Sequence, residues 1–208
     1  MSEEAQTHRY LPLDADRKEI RLLTVYPRSE NIPYTDPVKC TIHHVSLRET
    51  PRPQYETISY VWGNAKETST IFLNGLEAIV PTSAEQALKC IRLHTGARDR
   101  QLWIDAICID QGNVDERAKQ IHIMGDVYRY SVGNLIYIGD DDDGTVGRAC
   151  LDFSHLLEEI RQETDGFRTF LDTVFDKDNH DWRGNESPLS TKIDPAALIS
   201  FYSRPWFG

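Results

Sequence analysis

Leu102–Gln120, LWIDAICIDQGNVDERAKQ, decides the reading of this chain. From Leu102 to Ile109 every residue but Asp105 is apolar, the composition of a strand buried on both faces. Asp110, Gln111, Asn113, Glu116 and Arg117 follow, so carboxylates, amides and a guanidinium crowd one strand end. In open α/β sheets ligands bind in the crevice beyond the carboxyl ends of parallel strands, which makes this strand end the first candidate for a site. Asn113, with Glu116 three positions on, carries a capping-box signature for a helix whose buried stripe is expected to be Ala118, Ile121, Met124 and Tyr128.

Upstream, IRLLTVYP (20–27) and VKCTIHHVSL (38–47) read as strands of an amino-terminal β layer. Pro51 and Pro53 break the chain before YETISYVWG (55–63), a central strand ending near Trp62. STIFLNGLEAIVP (69–81) places Asn74-Gly75 between two apolar runs, and that pair supplies the positive φ angles of a two-residue hairpin turn. Ser83, with Gln86 as capping-box partner, is expected to start a helix carrying Ala84, Ala87, Leu88 and Ile91 on one face, ended by Gly96.

Downstream, NLIYIG (134–139) reads as a short strand, and a helix is expected from about 146 to 163. Phe167, Phe170, Leu171 and Phe175 suggest a further helix, 176–195 a polar loop, and 195–202 a last helix. The closing SRPWFG ends on large aromatics, which reads as a truncation. Strands alternating with helices predict one three-layer α/β domain over 1–208 with a mostly parallel central sheet, decorated by the amino-terminal strands and the hairpin.

The 33 acidic against 23 basic side chains leave a net charge of −10, which opposes attraction to phosphate backbones and anionic lipid surfaces and argues against nucleic acid as a partner. The start, MSEEAQTHRY, has no signal-peptide pattern, and no apolar run approaches the roughly 20 residues of a membrane span, so a cytoplasmic location is expected. Cys40, Cys90, Cys108 and Cys150 lack metal-ligand spacing and read as buried free thiols. Asp140–Asp143 lacks the spaced oxygens of an EF-hand, and His43 and His44 point to opposite faces of one strand, so no metal site is predicted.

Several residues carry two readings. Glu116 is the candidate catalytic carboxylate, able to act as acid or base or to hold a ribose hydroxyl. It also fits a purely local role, completing the capping box. Asp105, inside an apolar run, needs a cation or several donors to remain ionised; a structural ion pair with Arg117 or another basic residue is the first expectation. Asp110, Gln111 and Asn113 suit ligand contact or a braced loop. Trp62 and Gly63 suit an indole face that stacks on a nicotinamide or adenine ring, or an aromatic lid on the core. Asp140, at the end of its own strand, joins this candidate ligand-binding set.

Taken together, YETISYVWG, LWIDAICIDQGNVDERAKQIHIMGDVY and the closing RPWF resemble the heterokaryon incompatibility (HET) domain of filamentous fungi. The matching positions are Ser59, Tyr60, Trp62, Gly63, Leu102 to Gln111, Glu116, Arg117, Gln120, Met124 and Tyr128. The family continues into an Arg-x-Trp-x-x-Gln-Glu block that this chain lacks. The resemblance implies a death-inducing effector of non-self recognition. Through a distant similarity to TIR domains, it also implies a flavodoxin-like fold, self-assembly, and NAD⁺ as a possible substrate. The partners it implies are further copies of the chain and other incompatibility or NLR-like proteins.

Overall fold

The computed structural model describes residues 8–28, 36–64, 66–92 and 98–141, with 144, 147, 148, 150, 151, 154, 155, 158, 200, 201 and 203–205 beyond them. The chain divides into two compact units, 1–138 and 139–208. In chain order the first unit contains β1 (Glu19–Val25), β2 (Lys39–Ser46), β3 (Glu56–Tyr60), β4 (Thr68–Leu73), β5 (Leu76–Pro81) and α1 (Thr82–Ile91). It continues with β6 (Arg100–Trp103), α2 (Asp105–Cys108), α3 (Val114–Tyr130) and β7 (Gly133–Tyr137).

The seven strands form one sheet in the order β5-β4-β2-β1-β6-β3-β7. β3 runs parallel to β6 and β7, and β4 parallel to β2. β1 is antiparallel to both β2 and β6, and β5 is antiparallel to β4. The sheet is therefore mixed, which corrects the expectation of a mostly parallel one. The reason lies in β1: Ile20, Arg21, Leu22 and Leu23 are all buried, so this strand cannot decorate an edge and takes the central place in reversed direction. β6, β3 and β7 form the parallel block at whose carboxyl ends Trp62 and Asp105 stand.

The run from Leu102 to Ile109 is not one strand. β6 stops at Trp103, and a single helical turn, α2, follows, with the Cys108 N–H donating to the Ile104 carbonyl at 2.8 Å. Ala106, Ile107, Cys108 and Ile109 are buried all round, and such a run has no periodicity to separate strand from helix. Fully burying each large apolar side chain of this core contributes about 1.5–3 kcal/mol.

The hairpin is as expected: Asn74 and Gly75 take φ of 54° and 80° between β4 and β5. The hairpin joins β2 over two paired positions, Lys39 with Phe72 and Cys40 with Leu73. Asn74 extends the joint, its N–H donating to the Cys40 carbonyl and its side-chain oxygen accepting from the Ile42 N–H, both at 3.0 Å. β5 then turns straight into α1. Pro81 stands at the N-cap with no side-chain cap, so the predicted Ser83–Gln86 box does not form. The Ser83 hydroxyl instead donates to the Trp62 carbonyl at 2.7 Å. α1 ends at Ile91, and Gly96, expected to end it, lies outside the described residues.

α3 begins as predicted, with the Asn113 side chain accepting the Glu116 N–H at 3.1 Å. Its inward face differs from the expected stripe. Glu116, Gln120 and Val127 are buried, with Ile123, Met124 and Tyr128 partly so, while Ala118 and Ile121 are exposed. The two buried polar residues have partners that only the fold supplies, so they displace the apolar positions from the inner face.

In the second unit the described residues between 147 and 158 are helical, as are Ser200 and Phe201, where helices are expected. The expected helix at 167–175 and loop at 176–195 lie outside the described residues. Among the described residues no helix is long and apolar enough to cross a membrane.

Candidate functional site

The predicted site residues of the first unit fall into two groups around α2. The first is built on Arg21, which β1 carries into the interior. Its guanidinium forks onto Glu116, Nη1 to Oε1 at 2.6 Å and Nη2 to Oε2 at 2.9 Å. It also donates to the carbonyls of Cys108 at 3.0 Å and Leu11 at 2.6 Å. The Tyr10 ring lies 4.7 Å from the guanidinium carbon, and its hydroxyl donates to the Ile107 carbonyl at 2.8 Å. Arg21 is 1% exposed and Glu116 8%, so the pair is withdrawn from water.

Glu116 has little left to offer a ligand. Its Oε1 also accepts the Asp110 N–H at 2.8 Å. Burial pushes this carboxyl up, but the Arg21 hydrogen bonds and the Asp110 N–H outweigh burial and hold it below the usual glutamate range. A buried, ionised, doubly engaged carboxylate is suited to holding structure and poorly suited to moving protons. Asp110 and Asn113 serve the same brace: Asp110 accepts the Gly112 N–H at 3.1 Å, and Asn113 caps α3.

The second group stands at the carboxyl ends of β3 and β6. Asp105 opens α2, and its Oδ2 accepts the Trp62 indole N–H at 3.0 Å while Oδ1 accepts the Ala106 N–H at 2.8 Å. Burial lifts the Asp105 carboxyl above the usual aspartate range, opposed by the Trp62 and Ala106 donors and by Tyr60. Trp62 is 42% exposed, so the indole offers a face to solvent while its edge is fixed on the carboxylate. Behind it the buried Tyr60 hydroxyl is turned toward Asp105, and the buried indole N–H of Trp103 meets no partner within hydrogen-bond geometry among the described residues. Ser59 donates to the Tyr128 hydroxyl at 3.2 Å, and Tyr128 stands edge-on to Trp103 at 5.7 Å.

Gln111 links the groups, its amide donating to the Asp105 carbonyl at 2.9 Å. Arg117 and Asp105, expected as an ion pair, are not paired: Arg117 donates to the Gln111 carbonyl at 3.5 Å. Gly63 takes φ +63° beside Ser83, the close turn that a glycine permits. Asp140 belongs to the second unit, where its carbonyl accepts Arg204 at 2.5 Å. Among the described residues no group of side chains could hold a metal ion.

Sequence reasoning missed Arg21 and Tyr10, and placed Gln120 in the motif without its role, an amide that donates to the Glu19 carbonyl at 2.9 Å. Arg21 carried a usable signal, a cation inside the apolar run IRLLTV that must find a buried anion.

A mixed sheet whose parallel block ends in Ser-Tyr-x-Trp-Gly and Asp-Ala-Ile-Cys, braced by a buried arginine–glutamate fork, is the architecture to set against known families. The chain belongs to the heterokaryon incompatibility protein (HET) family, whose model matches residues 55–207. It is similar to heterokaryon incompatibility protein 6, OR allele, of Neurospora crassa, at 30% identity over 196 residues. That match covers 88% of this chain and 26% of the relative, so the chain spans about a quarter of the relative's length. No solved structure matches the chain.

Proposed function

We propose that the chain is the effector domain of a fungal incompatibility protein, which drives cell death after non-self contact by TIR-like assembly of further copies of itself in the cytoplasm. The family and the printed name of the Neurospora crassa relative support the role in incompatibility. The observation that carries assembly is the outward face of α3, where Val114, Ala118 and Ile121 are exposed while polar Glu116 and Gln120 are buried. An apolar face turned to water is characteristic of an interaction surface. Other incompatibility or NLR-like proteins are the partners that would seed it. Sedimentation velocity over a broad concentration range tests this reading: sedimentation that rises with concentration supports it, and one invariant monomer overturns it.

A second reading, NAD⁺ cleavage, is favoured by the Trp62–Asp105 pair. An exposed indole suits stacking on nicotinamide, and a carboxylate at the strand ends suits the ribosyl cation that forms as nicotinamide leaves. Asp105 then replaces Glu116 as the charge-stabilising group. Nicotinamide release that disappears in Asp105→Asn supports this reading, and no release by the native chain at assembling concentrations removes it.

A further inference from the structure

The outward stripe of α3 is Val114, Ala118, Ile121 and Gly125, spaced four, three and four residues apart and thus aligned along one side of the helix. Val114 is 65% exposed and Ile121 59%. The stripe lies opposite the side that carries Glu116, Gln120 and Val127 inward. Gly125 makes the pattern more than a scatter of apolar residues. A glycine inside a helix costs about 0.5–1 kcal/mol relative to alanine. Among the described residues no neighbour requires one here, because a Cβ added at Gly125 meets none of their atoms within 4 Å. What glycine provides is open room on this face of the helix, which a partner can enter.

Resting on the assembly reading above, we propose that α3 is a two-fold interface, packing antiparallel against α3 of a second copy about an axis between Ala118 and Ile121. Large and small residues alternate along the stripe, and reversal makes them complementary. Val114 faces the partner's Gly125, and Ala118 faces the partner's Ile121; the same contacts repeat on the other side of the axis, as an isologous interface requires. The flank carries polar groups that match under the same operation, a carboxylate acceptor and an imidazole N–H donor. Asp115 and His122 lie on one side of the stripe, seven residues apart, and reversal sets Asp115 beside the partner's His122. The stripe spans about 17 Å at 1.5 Å per residue. The interface therefore falls short of the roughly 800 Å² per partner of a standard stable complex and makes a weak contact, governed by local concentration.

Sedimentation equilibrium on the whole chain tests the proposal, with circular dichroism confirming that each variant keeps its fold. Ile121→Asp and Gly125→Leu are each expected to weaken self-association at least about tenfold, one by placing a charge on the stripe and one by filling the groove. Asp115→Lys is expected to weaken it, and Asp115→Lys with His122→Asp to restore it, a result that surface hydrophobicity alone would not give. Self-association unchanged in Ile121→Asp and Gly125→Leu overturns the α3 interface and leaves assembly standing on another surface. A native chain that stays monomeric at every concentration overturns both.

Discussion

Arg21 and Glu116, 95 residues apart in sequence, meet as a two-pronged ion pair with contacts of 2.6 and 2.9 Å in the interior of the first unit. The fork ties the central strand β1 to the first turn of α3, and through the Asp110 N–H it also fixes the loop between α2 and α3. Because Leu11 and Cys108 give their carbonyls to the same guanidinium, four separate stretches of chain depend on one cation.

Removing one member of a buried pair leaves the other charged and unpaired, which costs about 3–5 kcal/mol. Glu116→Gln is therefore expected to lower unfolding free energy far more than Asn113→Ala, which loses only a cap worth about 1 kcal/mol. The double variant Arg21→Met, Glu116→Leu is expected to recover most of the loss, since no unpaired charge remains. Urea denaturation of the three variants checks this; a Glu116→Gln cost no larger than that of Asn113→Ala would refute the keystone role.

The two carboxylates on either side of α2 predict opposite responses to acid. Asp105 has a raised native pKa, so lowering pH through that value toward the ordinary aspartate pKa of about 3.9 protonates the native state first and adds stability. Glu116 is depressed, and so is Glu56, where the hydrogen bonds from Arg100 outweigh burial. Their stabilisation is complete above the ordinary glutamate pKa of about 4.3 and is lost as pH falls through the lower native values. Thermal melts against pH should show a shallow rise on mild acidification followed by a steep fall. Asp105→Asn should abolish the rise and leave the fall.

Thiol reactivity should divide the cysteines two and two. Cys40 and Cys108 are buried, and burial pushes both thiols up to about 12, so neither presents thiolate near neutral pH. Cys90 and Cys150 are exposed, which corrects the expectation that all four thiols are buried. An alkylating reagent under native conditions is expected to label Cys90 and Cys150 and to reach the other pair only after denaturation. Mass spectrometry of the modified peptides gives the answer, and early labelling of Cys108 would contradict its placement.

Local chemistry made parts of this architecture legible in sequence. The Asn74-Gly75 turn and the Asn113 cap depend on neighbours within a few residues, so their residue types announce them. Strand direction is different, because nothing in IRLLTV says that β1 runs antiparallel to β6 at the centre of the sheet. The break between β6 and α2 was hidden because a run buried on every side has no periodicity. The inward face of α3 is not legible for a related reason: Glu116 and Gln120 are inward only because Arg21 and the Glu19 carbonyl, about a hundred residues away, receive them. Trp62 was recognised as a site residue from its place at a strand end, but its attachment to Asp105 required the β3–β6 register.

Asn74 bears on how faithfully the sheet assembles. A joint of two paired positions between β2 and β4 would leave the hairpin free to settle one step up or down, and a one-residue slip would turn every side chain of β4 to the opposite face. The Asn74 side chain reaches past the end of β4 to the Ile42 N–H, so the residue that turns the hairpin also marks where it must stop. A slipped hairpin would forfeit that bond, and with it the burial of Ile71 and Leu73. The turn thus acts as a register stop, selecting one sheet among near neighbours rather than adding greatly to the stability of any of them.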